Sequence, residues 1–73
     1  MAREIPIEGR TIRLGQLLKL AGVIDSGSEA KSLLTGEPVS VNGEPESRRG
    51  RQLTAGDRVR VVDQELVIVS NPR

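Results

Sequence analysis

The chain has no cysteine, no histidine and no aromatic residue of any kind. Without cysteine there is neither a disulfide framework nor a thiolate metal site, and without histidine the commonest metal ligand and general base is gone as well. Carboxylates, Lys19, Lys31 and hydroxyls are the catalytic groups that remain, and no pair of carboxylates falls on an obvious cleft-forming framework. No Gly-Lys-Ser or Gly-Lys-Thr phosphate loop occurs. The expectation is a protein that is not an enzyme, with no catalytic residues, metal, cofactor or small-molecule substrate. Nor is there an apolar run near the roughly 20 residues that cross a bilayer, and the opening MAREIPIEGR lacks the apolar core of a secretory signal. A cytoplasmic protein that does not engage a membrane is expected.

What is present suffices for one small fold. Leu, Ile and Val make up 21 of the 73 residues, above the level at which chains tend to stay disordered. A chain this short buries only about 60% of the surface it exposes when unfolded, so residues 1–73 are read as a single domain, a monomer held by aliphatic packing. The net charge is only +1, but it is unevenly distributed. Residues 1–24 sum to +2, residues 25–47 to −4, residues 48–60 to +4 and residues 61–73 to −1. Such segregation suits a polyanionic partner if folding brings the two positive segments together.

The apolar pattern predicts β-β-α-α-β-β-β, an α+β fold. Residues 3–7 and 10–14 alternate around Glu8-Gly9 as in a hairpin, with Ile5, Ile7, Ile12 and Leu14 facing inward. Leu14, Leu17, Leu18 and Ala21 form the stripe of a short helix that Gly22 stops. Ser26-Gly27-Ser28-Glu29 fits a capping box opening a second helix, whose stripe is Ala30, Leu33 and Leu34. Gly36 is placed for a left-handed cap, and Pro38 prevents continuation. Val39 and Val41 lead into Asn42-Gly43, the strongest short hairpin signal. Beyond a Gly56-Asp57 turn, residues 58–62 and 66–69 read as strands.

Arg13-Leu14, Leu17 or Leu18, Gly22, Ser26, Ala30-Lys31, Leu34, Gly36, Val39, Val41-Asn42-Gly43 and Gly56-Asp57 stand in an order and at a spacing that belong together. Through them residues 12–61 resemble the RNA-binding domain named after ribosomal small-subunit protein four, the S-four domain. The stretch from Leu14 to Lys31 is similar to its short, stand-alone bacterial branch of YbcJ-like proteins. The resemblance implies two short helices packed on a small, strongly bent antiparallel or mixed sheet, an αL-type RNA-binding fold. It also implies that RNA meets the helices and a neighbouring β-loop. Two departures reduce the helix-borne charge pattern: Gly15 stands where the wider family usually has an acid, and Gly27 where it has a base.

That shifts weight to Glu46-Ser47-Arg48-Arg49-Gly50-Arg51. Guanidinium binds phosphate oxygens through a fork of donors and stays charged at any physiological pH. The competing reading is a solvated loop whose arginines pair with Glu44 or Glu46. The RNA-contact candidates are Arg48, Arg49 and Arg51 of the loop, Lys19, Lys31 and Arg13, and the hydrogen-bonding side chains Gln16, Ser28 and Asn42. For these last three, helix surface, helix first turn and hairpin turn are the more natural roles. Arg58 and Arg60 need only be the wet face of a strand.

Readers of single-stranded RNA stack bases on aromatic platforms. With none here, the expected partner is structured RNA of the ribosomal or tRNA type, held through phosphate and sugar contacts. Two other readings compete: a protein-interaction module docking on a ribonucleoprotein, and a ubiquitin-like sulfur carrier. The second needs a C-terminal Gly-Gly, whereas this chain ends Ser70-Asn71-Pro72-Arg73.

Overall fold

The computed structural model describes residues 2–36 and 38–71, without the side chains of Gly27, Ser28 and Ala30. The elements run β1 (Arg3–Ile7), β2 (Thr11–Arg13), α1 (Leu14–Leu20), α2 (Gly27–Gly36), β3 (Val39–Val41), β4 (Glu44–Pro45), β5 (Gln52–Thr54), β6 (Arg58–Val61) and β7 (Gln64–Ser70). The α+β class and the two short helices are as the sequence predicts. The strands divide between a five-stranded mixed sheet, ordered β1-β7-β6-β3-β4, and a separate two-stranded pair, β2-β5. Two strands escape the periodicity altogether: β4 is Glu44–Pro45 with no aliphatic residue, and β5 carries a single one, Leu53, so neither shows an alternation.

The predicted hairpin between residues 3–7 and 10–14 does not form. β1 pairs in parallel with β7, Ile5 opposite Ile68, and β2 pairs antiparallel with β5, Ile12 opposite Leu53. Alternation dictates which face of a strand is buried but not which neighbour it takes. Ile5 and Ile7 are buried as expected, against a partner from the other end of the chain. Pro6 suits this edge position. The Ile7 carbonyl accepts the Asn71 N–H at 3.0 Å, so Ile7 turns its peptide groups toward β7 and its neighbour Pro6 turns its missing N–H away.

The core is wholly aliphatic. Leu14, Leu17, Leu18, Leu53, Val59, Val61, Leu66 and Ile68 are completely buried, and the other members of the cluster include Ala21, Ile24, Leu34, Val39 and Val41. No polar or charged residue is buried as a whole among the described residues. The end of α1 shows how closely the local pattern is followed. Gly22 sits at φ +78°, its N–H donating to the Lys19 carbonyl at 3.1 Å and that of Val23 to Leu18 at 3.0 Å. This is the Schellman arrangement, which satisfies carbonyls that a helix end leaves open.

α2 begins directly after Ser26, and the Glu29 carboxylate reaches back as a capping box requires, accepting from the Asp25 N–H at 3.3 Å, one residue before the expected donor. Gly36 is a correction: it is the last helical residue, not one of the left-handed glycines. The Thr35 hydroxyl closes that turn instead, donating to the Lys31 and Ser32 carbonyls. Asn42 and Gly43 lie at φ +53° and +85° in a two-residue loop that places Val41 opposite Glu44, as a type I′ hairpin demands.

Candidate RNA-binding surface

An α-helix leaves its first N–H groups without internal partners. At the start of α1 the preceding Arg13 is extended and supplies no side-chain cap. The arginine loop supplies backbone caps instead. The Leu14 N–H donates to the Arg51 carbonyl at 2.8 Å, and the Gly15 N–H to the Arg49 carbonyl at 2.9 Å. Residues 49–51 are thereby fastened across the first turn of the helix, and β5, which follows at once, is fastened to β2 with Gln52 opposite Arg13. Folding therefore joins the positive segment before residue 24 to the one after residue 48.

Gly15 is what makes this seat fit. A Cβ at that position would lie 2.6 Å from Cγ of Arg49 and 3.5 Å from its carbonyl oxygen. The glycine that reads in sequence as a missing acid is the site where the loop backbone and the Arg49 side chain approach the helix.

Within the loop Glu46 is the centre of the hydrogen bonding. Its Oε2 accepts the N–H groups of Ser47 and Arg48 and the Nε–H of Arg48, each at 3.1 Å. Its Oε1 accepts Nη2 of Arg48 at 3.3 Å and Nη1 of Arg51 at 2.7 Å. The Glu46 side chain is only 7% exposed, against 74% for Arg48 and 36% for Arg51. Hydrogen bonds from Arg48, with further help from Arg51, hold its carboxyl down to about 2. The same pairing raises Arg48 above the usual arginine value. Pairing with Glu46 is thus realised for Arg48 and Arg51. It leaves the loop net positive, and each guanidinium retains donors that Glu46 does not occupy.

The other candidates lie outside the loop. Gln16 and Lys19 are exposed on α1, three residues apart and hence on neighbouring positions of one helix face. Lys19 also lies one turn beyond the Gly15 seat. Arg13 is exposed at the junction of β2 with α1. Lys31 is exposed on α2, an element separate from the loop, and the side chain of Ser28 lies outside the described residues. Asn42 has both ends of its amide engaged within the fold: Nδ2 donates to Asp57 at 3.1 Å and Oδ1 accepts the Arg58 N–H at 2.9 Å. Asp57 also accepts the Thr54 N–H at 2.8 Å, the main reason its carboxyl sits below the ordinary value. Arg58 pairs with Glu65 at 3.1 Å.

Sequence reading passed over Gly15 as a contributor and treated Glu46 only as a neutralising neighbour. The spacing Glu-x-Arg-x-x-Arg was the available signal, since it lets one carboxylate reach two guanidiniums across a turn. Among the described residues no group of acidic side chains could hold a metal ion, and no helix is long and apolar enough to cross a membrane.

A family model described as the S4 domain matches residues 5–69. This chain belongs to the S4 domain family. The match reaches beyond residues 12–61 into β1 and β7, the parallel pair that joins the two ends of the fold. The chain is also similar to a Bacillus subtilis (strain 168) protein named probable ribosome maturation protein RlbA, 52% identical over 61 residues that span 84% of this chain and 86% of that one.

Proposed function

We propose that this S4 domain binds structured RNA, ribosomal RNA or tRNA in type, through phosphate and sugar contacts. Arg48, Arg49 and Arg51 make the principal contacts, and Arg13, Gln16, Lys19 and Lys31 extend them along the helices. The observation that carries the reading is the attachment of the arginine loop to the first turn of α1, which joins two positive segments into one surface. The name of the Bacillus relative favours a ribosomal RNA over other structured RNAs. Asn42 is left out of the RNA-binding set because its amide serves the hairpin, and Ser28 stays in it as a hydrogen-bond donor near the start of α2. No catalytic step is assigned to the domain.

The absence of aromatic side chains removes stacking platforms, so shape and backbone carry recognition. The test compares a labelled RNA hairpin with an unstructured RNA homopolymer of equal length. The hairpin is expected to bind more tightly, and equal or tighter binding of the homopolymer contradicts the proposal. Crosslinking in cells followed by sequencing of the bound RNA identifies the target. Recovery of protein crosslinks alone would favour docking on a ribonucleoprotein through protein contacts.

A further inference from the structure

A carboxylate in the middle of a phosphate-binding loop opposes that function by its charge, yet the fold buries the Glu46 side chain to 7% exposure and surrounds it with donors. We propose that Glu46 is the positioning residue of the RNA site, presetting the Arg48 and Arg51 guanidiniums as a fixed pair for phosphodiester groups before RNA arrives. The inference rests on the RNA-binding reading above.

The geometry gives Glu46 the means. Arg48 is gripped along one edge, Nε to Oε2 at 3.1 Å and Nη2 to Oε1 at 3.3 Å, which fixes the plane of its guanidinium. Arg51 meets the same Oε1 with Nη1 at 2.7 Å, leaving its Nε and second amino group outside the contact. A guanidinium has five donor hydrogens, so both arginines keep N–H groups for a phosphate while their planes are set. The Glu46 backbone is anchored in turn, its N–H donating to the Val39 carbonyl at 2.9 Å. The clamp is therefore referenced to the central sheet on one side and to α1 on the other. Free arginine side chains would lose rotamer freedom on meeting RNA, and ordering them beforehand removes that cost from binding.

The test is Glu46→Gln. If Glu46 acts only through charge, removing a negative group from a site for polyanions tightens binding. If it presets the arginines, binding to an RNA hairpin weakens, by about tenfold for two side chains that must now be ordered on association. The slope of log affinity against log salt stays as in the wild type, because the same phosphates are neutralised once bound. A readout without RNA accompanies it: nitrogen-15 relaxation of the Arg48 Nε in the free protein should report a rigid group in the wild type and a mobile one in the variant. Arg48→Lys, which keeps the charge but cannot form the two-pronged contact, should weaken binding in the same way with the slope unchanged. If Glu46→Gln fails to fold, the relaxation of the Arg48 Nε in the wild type decides: a rigid group supports the inference and a mobile one overturns it.

Equal or tighter binding by folded Glu46→Gln overturns the inference, as does a mobile Arg48 Nε in the wild type. A weakened variant whose salt slope also falls by about one or more overturns it too, since fewer phosphates are then being neutralised. A wild-type protein that ignores the hairpin defeats the RNA-binding reading instead, and the relaxation measurement still decides whether the arginines are preset.

Discussion

Glu46 shows how one carboxyl links stability to pH in this domain. Its value in the fold is about 2 against 4.5 for the unperturbed group, so the folded chain holds fewer protons there than the unfolded chain between those limits. Its stabilisation is complete above the unfolded value and drains away as pH falls toward 2. Melting midpoints of the wild type should decline over that window at constant ionic strength, and those of Glu46→Gln should decline less. Parallel curves would show that the carboxyl has no special environment. Asp57 is lowered as well and contributes to the decline that remains in the variant. Arg49 carries a different prediction. Lysine keeps the charge but loses the planar fork, so Arg49→Lys should keep the salt slope and lose part of the affinity, whereas full retention of affinity would mean that charge alone matters.

α1 and the arginine loop behave as one unit, because the loop carbonyls complete the first turn of the helix. Gly15→Ala separates their contributions. Alanine favours a helix by up to about 1 kcal/mol over glycine, but its Cβ would sit 2.6 Å from the Arg49 Cγ, so the arginine must move. Stability within about 1 kcal/mol of wild type, with weaker RNA binding, is the expected outcome by denaturant titration and anisotropy. Unchanged affinity would show that the seat of Arg49 is irrelevant. At α2, Ser26→Ala should cost about 1 kcal/mol through the missing cap, read as a lower melting midpoint.

These elements also show where sequence is informative. The α1 stripe, the Gly22 stop and the Asn42-Gly43 hairpin were readable because each depends on residues close together in the chain. The pairing of β1 with β7, the β2-β5 pair and the docking of residues 49–51 on α1 were not, since alternation is silent about distant partners. The arginine loop was visible as composition. Gly15 as its seat was not, because it acts on Arg49 far along the chain, whereas the pairing of Glu46 was readable in the spacing Glu-x-Arg-x-x-Arg and the burial of its side chain was not.

For the molecule as a whole, a net charge of +1 would give little attraction to RNA if it were spread evenly. Folding counters this by joining Arg13 and the start of α1 to the loop of Arg48, Arg49 and Arg51. The aliphatic core lies elsewhere, so charge and stability are separable. Leu17→Ala, at a completely buried position, should cost about 2–5 kcal/mol. Replacing the three loop arginines should change folding far less than removing Leu17, apart from the pairing with Glu46.

The most direct measurement is the salt dependence of RNA-hairpin binding by the triple variant Arg48→Ala, Arg49→Ala, Arg51→Ala, with its fold checked by circular dichroism. Each phosphate that the variant no longer neutralises should lower the log–log slope by about one, with affinity falling for different structured RNAs alike. A folded triple variant that binds with wild-type affinity and wild-type salt slope would contradict the account.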